Sequence, residues 1–371
     1  MPPPTSTDPS PPVFKIDLSL PPEDRYTEVA TAFAPELRGL ASLFDELVLE
    51  LGDRVPLSLI RGIARLLLRR LHSSEQTREL RGIDRVVGVG MWLLVAFNTL
   101  LDLLMGCTSG GARVRDEHGE RMVHFRTLDW DMQALREVVV VLQFVRCADG
   151  PVVARSVTYA GFVGVLTGVR PDLSLSLNFR STHANSNSVR SNLRYHGHQL
   201  AVLLGLRPSI ATRLREILIA THETRPPTLE DLEINFPAMK TTACYIVASS
   251  GERTTVFEKD HVSAVQISSS TFVVATNHDA EHDDGGGDAL LYRMPGMKEV
   301  IEESTERKAC MTRRWERAVR GKEGGAVKAE KLLGYMERYP IASNMTHFAA
   351  VMDPARGEFM WIKCWLDPKV D

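Results

Sequence analysis

The residues best placed to do chemistry lie in one stretch, GCTSGGARVRDEHGERMVHFRTLDWD, from Gly106 to Asp131. Cys107 follows an apolar run, and Arg126 and Asp129 stand three apart about twenty residues later. A cysteine attacks as the thiolate, so its proton needs an acceptor. The usual acceptor is a histidine, and the sequence places none of its 11 histidines beside Cys107. Cleavage of the chain ahead of Cys107 would supply another base. The freed α-amine, with an ordinary pKa of about 8, would sit one residue from the thiol and titrate close to it. Gly106 puts little bulk before the nucleophile. Arg126 could lower the thiol pKa and hold a polar head group, and Asp129 could orient the amine.

Each of these residues also has a plainer reading. Free cysteine is among the most buried residue types, and Cys147, Cys244, Cys310 and Cys364 are read as core. An isolated Arg–Asp pair is worth little at a surface. Asn277, in FVVATNHD, would by itself be a strand-end turn residue. The cluster His278, Asp279, His282, Asp283 and Asp284 has a metal-like composition, but its Gly-rich setting favours a solvated loop. Arg61, Arg65 and Arg69 recur every four residues and read as a solvated helical stripe. The sharper reading of that stripe is contact with an anionic lipid surface.

The elements that must position the site change character at Cys107. From about residue 22 to 105, DRYTEVATAFAPELRGLASLFDELVLEL and PLSLIRGIARLLLRRLH show helical spacing. The apolar run Val86–Gly106 has the length of a membrane span. Asn98 and Asp102 on one helical face make it a buried helix instead. After Cys107, GARVRD and RMVHFRTLDW flank the turn EHGE as a hairpin. VVVVLQFVRC, VVARSVTYA and LSLSLNFR follow as strands. Helices, four more strands, two helices and two last strands complete an α+β order, in which two sheets lie between helix layers.

Composition narrows the function classes. The chain has 371 residues, 44% hydrophobic and 25% charged, with a formal net charge of −3. That balance gives no electrostatic footprint for nucleic acid. Five widely spaced cysteines without CxxC argue against a disulfide framework or a structural zinc. No cofactor or metal is expected. MPPPTSTDPSPP has no apolar core, so residues 1–12 read as a disordered N-terminus rather than a signal peptide, and the cytoplasm is the default location.

At the site itself the sequence resembles a known family. GCTS followed by HFRTLDW is similar to the paired motifs of acid ceramidase and N-acylethanolamine acid amidase, which are N-terminal-nucleophile hydrolases of the cysteine type. FKIDLSLPPEDRY, AGFVGVLTGVRPDLSLSLNFR and FVVATNHD extend the likeness over roughly residues 13 to 367. The resemblance implies an αββα sandwich, a helical α-subunit segment at 13–106 and a catalytic β-subunit at 107–371. Autocleavage would fall between Gly106 and Cys107, and the two fragments would stay associated. It implies Cys107 as nucleophile, Arg126 and Asp129 as its positioning groups, and Asn277 as an oxyanion donor. Arg307 is the further arginine, with Arg313 as second choice. Asn178 and Arg180 would bind substrate.

Phe125 and Thr127 stand where the family has Gly and Asn, and Phe179 where it has Glu. The implied reaction is hydrolysis of an N-acyl lipid amide, ceramide first, with membrane-surface contact as one reading. An N-acylethanolamine or other N-acyl amide, or non-catalytic lipid binding, remains open. The relatives also imply a lysosome-like or vacuolar compartment as the alternative location.

Overall fold

The chain enters on a strand and not, as expected for this segment, on a helix. In the computed structural model, which describes residues 10–51, 56–100, 106–180, 188–220, 225–283, 297–321 and 323–368, β1 (Val13–Asp17) pairs in parallel with β4 (Val139–Val145). Backbone hydrogen bonds thus tie the segment ahead of Cys107 into the later sheet. Six helices follow: α1 (Thr27–Ala32), α2 (Ala34–Arg38), α3 (Leu40–Leu51), α4 (Leu57–Leu67), α5 (Ser74–Val87) and α6 (Met91–Leu100). Local chemistry sets the ends of α5. The Ser73 side chain accepts from the Gln76 N–H, and Gly88 closes the C-terminus at φ 76°.

Asn98 on α6 is buried and satisfied. Its amide donates to the carbonyls of Leu94 and Gly161, and its oxygen accepts from the Val163 N–H. Among the described residues no helix is long and apolar enough to cross a membrane. Asp102 lies outside the described residues.

The arginine stripe does not form. Arg61 pairs with Asp45, Arg65 stacks 5.5 Å from the Trp92 ring, and α4 ends before Arg69. The face that α4 presents to solvent is apolar, with Leu59, Ile63 and Leu66 exposed at helical spacing.

Two sheets make the core. One has eight strands in the order β1-β4-β5-β6-β7-β8-β9-β10, where β5 is Val152–Tyr159, β6 Thr167–Arg170, β7 Leu173–Phe179, β8 Cys244–Ser249, β9 Thr254–Lys259 and β10 Ala264–Ser269. The other has six: β11 (Phe272–Ala275), β2 (Gly106–Asp116), β3 (Gly119–Asp129), β13 (Thr346–Asp353) and β14 (Glu358–Cys364) in order, with β12 (Val327–Lys328) also on β2. α8 (Ile210–Leu218) covers β6 and β7, while α10 (Met297–Val319) and α11 (Ala329–Met336) cover β2. α7 (Val189–Leu203) and α9 (Leu229–Asn235) complete the described helices. This is the expected sandwich of two sheets between helix layers.

Side-chain alternation along β2 and β3 divides the two sides. Ala112, Val114, Val123 and Phe125 join Met311 and Trp315 in the core under α10. Cys107 and Leu128 join the larger core between the sheets. Glycines let the layers close. A Cβ on Gly111 would lie 2.0 Å from Thr254 Oγ1 of the opposite sheet, and one on Gly110 would lie 2.5 Å from the Phe125 ring.

Candidate active site

Register brings the site together. Gly106 pairs with Asp129, Cys107 with Leu128 and Ser109 with Arg126. Directly opposed residues share a face, so Cys107, Ser109 and Arg126 point between the sheets, and Gly106 and Asp129 point toward α10. Ala275 pairs with Ser109, so Asn277, two residues on, reaches the level of Cys107. The site therefore wraps the end of β2 instead of occupying one face.

Around the sulfur, Arg126 is fully buried and its Nη2 donates to Cys107 Sγ at 3.4 Å. Its Nη1 donates to the Leu177 carbonyl at 2.5 Å and to Asn178 Oδ1 at 3.2 Å. Ser109 Oγ donates to the same Asn178 oxygen at 2.7 Å, and Asn178 Nδ2 reaches the carbonyls of Ala275 and Thr276. Asn178 thus cross-links three strands, and its hydrogen-bonding groups are taken up by protein.

The Cys107 N–H donates to Asn277 Oδ1 at 2.8 Å, and Arg307 Nη2 donates to that oxygen at 3.0 Å. Asn277 Nδ2 faces the Phe179 carbonyl at 2.9 Å, and its backbone N–H is held by Ser304 Oγ at 2.7 Å. Two donors on one side-chain atom and a carbonyl on the other fix which way this amide points.

On the α10 side, Asp129 Oδ1 accepts from Thr346 Oγ1 at 2.6 Å, while Oδ2 lies 4.0 Å from Arg307 Nη1. Burial pushes the Asp129 carboxyl up, opposed by Arg307 and by the Thr346 hydrogen bond. Burial likewise pushes the Cys107 thiol up, Arg126 opposing it and Asp129 reinforcing it. Buried polar atoms without a partner gather here: Thr108 Oγ1, Thr127 Oγ1, Asp129 Oδ2, Arg126 Nε and Arg307 Nε. Such atoms are scarce in folded proteins and collect where a site stores strain or does chemistry.

Among the described residues no histidine hydrogen-bonds Cys107. The one on its own face, His124, lies between Ser174 Oγ and Ser176 Oγ, and burial holds its pKa down at about 3.

Five of the expected residues therefore meet at one place: Cys107, Arg126, Asp129, Asn277 and Arg307. Asn178 braces Arg126. Arg180 does not open toward the sulfur. It grips Asp279 with both arms, at 2.8 and 2.5 Å, under Tyr245, whose hydroxyl also donates to Asp279. Phe125 is no part of the site. It stacks on Phe272, which stacks on Trp315, in the core under α10.

In the acidic cluster, His278 bonds Ser304 and Asp283, and Asp283 pairs with Lys308. Asp279, Glu281 and His282 place ligand atoms within 4.8 Å of one another, but Asp279 is already claimed by Arg180. Asp284 lies outside the described residues. Ser109 was legible in the sequence, being two residues from Cys107 on one strand. Thr346 and Ser304 carried no local signal.

Known proteins resemble this chain in sequence and in fold. A family model described as the beta subunit of N-acylethanolamine-hydrolyzing acid amidase matches residues 9–72. Acid ceramidase of Rattus norvegicus is 32% identical over 188 residues, which is 46% of this chain and 45% of that protein. N-acylethanolamine-hydrolyzing acid amidase of the same species is 30% identical over 165 residues, 44% of this chain and 43% of that protein. Over these stretches the chain is similar in sequence to acid ceramidase and to N-acylethanolamine-hydrolyzing acid amidase.

It spans less than half the length of these curated relatives. The fold is similar to that of a solved structure. A Caenorhabditis elegans N-acylethanolamine-hydrolyzing acid amidase ortholog matches at TM-score 0.50 and 21% identity, covering 70% of this chain and 100% of that one. The matching model, described as a beta subunit, falls on the segment ahead of Cys107, for which the resemblance implied an α-subunit.

Proposed function

We infer that this chain is an amidase of N-acyl lipids that works through Cys107 after cutting itself at the Gly106–Cys107 bond. The observation that carries this is the environment of Cys107. Its sulfur is held by Arg126, its nitrogen by Asn277, and the carboxyl of Asp129 lies across the strand from the residue before it.

In the cut, Sγ attacks the Gly106 carbonyl carbon and the acyl group passes from nitrogen to sulfur. Water then hydrolyses the thioester, leaving a Gly106 carboxylate and a free amine on Cys107. The amine inherits the position of the amide it replaces, with Asn277 Oδ1 as its acceptor. In turnover the amine takes the thiol proton, the thiolate attacks the substrate amide, and the ammonium protonates the departing amine; water, deprotonated by the freed amine, then cleaves the thioester, releasing the fatty acid and restoring the thiol. Asn277 Nδ2 is the oxyanion donor in this reading, which requires it to exchange the Phe179 carbonyl for the substrate oxygen. Arg180, saturated by Asp279, acts as a brace rather than a head-group ligand.

Before the cut the thiol is fully buried and its pKa is raised, so processing has to open it to substrate. The exposed leucines and isoleucine of α4 offer a lipid-facing surface on the same segment. Ceramide and N-acylethanolamine are separated by comparing fatty-acid release from each. Phe179 favours one rival, a lipid-binding relative without turnover. Tight N-acyl lipid binding by processed protein that releases no fatty acid would establish that rival.

The deciding experiment is N-terminal sequencing with intact mass. The expected result is a new terminus at Cys107, and loss of both cleavage and turnover in Cys107→Ala. A protein that stays one chain of 41.3 kDa under all conditions yet hydrolyses amides would sink the free-amine mechanism.

A further inference from the structure

A cavity of about 940 Å³ lies away from Cys107, between the N-terminal half of α7, the turn after it, the approach to β8 and the β9–β10 turn. None of the residues around the sulfur lines it. Four side chains of fixed positive charge do: Arg190, Arg194, Arg207 and Lys240, against one carboxylate, Asp260. Arg190 and Arg194 are four apart, so α7 presents both on one side. Neither they nor Lys240 forms an ion pair among the described residues.

The wall also holds a buried donor without a partner. His198 is 2% exposed. Arg207 Nη1 lies 3.0 Å from its Nδ1, and a guanidinium can only donate, so Nδ1 accepts and the proton sits on Nε2. That Nε2 has no hydrogen-bond partner. Burial holds His198 down at about 4, with His261, Arg207, Lys259 and Lys240 adding to the shift, as expected in a field of positive sign.

From this arrangement we propose that the cavity binds an organic phosphomonoester, a ligand that the amidase reaction neither consumes nor makes. Clustered unpaired cations select a multiply charged anion over a single carboxylate, and guanidinium forks match a tetrahedral oxyanion bidentately. The volume is at the upper end of small-molecule sites and far exceeds a bare phosphate. The remainder of the ligand lies against the Tyr195 ring and the exposed side chains of Leu193 and Val262.

The test is calorimetric titration of the full chain with inorganic phosphate, with phenyl phosphate and with benzoate. It is repeated on Arg194→Ala and Lys240→Ala, with Arg85→Ala, outside the cavity, as control. Phenyl phosphate should bind more tightly than inorganic phosphate and benzoate hardly at all. Each cavity variant should weaken binding about tenfold, as the loss of one charge-assisted contact implies, while Arg85→Ala leaves it unchanged.

Equal binding by the cavity variants and the parent overturns the proposal, and so does absence of phosphate binding at millimolar concentration in protein whose unfolding transition is intact. Flotation with phosphatidylcholine vesicles, with and without phosphatidic acid, distinguishes the source of the phosphate. Phosphatidic acid binding that phenyl phosphate competes away places the site on a lipid head group. Vesicle binding that phenyl phosphate cannot displace overturns the proposal in favour of a charged membrane surface.

Discussion

At the scale of single residues, Asn277 has two jobs that one substitution can separate. Its oxygen holds the Cys107 N–H and Arg307, and its nitrogen is the proposed oxyanion donor. Asn277→Asp keeps an acceptor for both partners and removes the donor. Turnover should fall about 10²–10³-fold, the usual loss for one such donor, while self-cleavage persists. Amidase assay of the variant beside its intact mass checks this. Parallel loss of cleavage and turnover would place Asn277 in positioning Cys107 alone. The nearby Phe125, where the resembled motif has Gly, has a physical account too. Phe125 needs the room that Gly110 leaves, and its ring serves the core under α10, so it does not disturb the sulfur.

At the scale of elements, strand β2 carries the nucleophile at its first turn of pleat and must also let two layers meet. Gly111 faces Thr254 of β9 across the sandwich, where any Cβ would overlap the threonine side chain. Gly111→Ala should destabilise the fold by roughly 1–3 kcal/mol, the cost of overpacking a closed core, read as a lower urea midpoint with an unchanged slope. The strand's alternation could be read from GCTSGGARVRD, and so could its hairpin partner, because a period of two is local. The α4 stripe fails for an equally local reason. The helix stops at Leu67, so Arg69 no longer shares its face, and Arg61 and Arg65 turn aside to Asp45 and Trp92.

At the scale of the whole molecule, the segment ahead of Cys107 is bound to the rest by more than the peptide chain. β1 lies in the eight-stranded sheet, and Asn98 is bonded to the turn after β5. Glu79 on α5 is completely buried and takes both arms of Arg215 on α8, at 2.5 and 2.6 Å, with Arg25 at 3.1 Å. Removing one partner of a buried pair leaves the other charge uncompensated, at about 3–5 kcal/mol. Glu79→Ala should therefore lower the thermal midpoint of the uncut chain and release the two fragments from each other once it is cut. Size-exclusion chromatography of the processed variant reads the second effect; co-elution at the parent's stability would contradict it.

What the sequence by itself determined is whatever repeats or matches within one short stretch. That covers the strand period around Cys107, the helical spacing before it, the layer order, and motifs long enough to carry a resemblance to known amidases. The tertiary structure decided everything that depends on residues far apart in the chain. Asn277 reaches Cys107 across 170 positions, and Thr346 reaches Asp129 across 217. Arg180 is lost to Asp279 by a pairing 99 positions long. Desolvation, which raises the Cys107 and Asp129 pKa values together, is a property of packed layers and has no local pattern to betray it. The cationic cavity beside α7 was hidden for the same reason, since its cations converge from three separate segments.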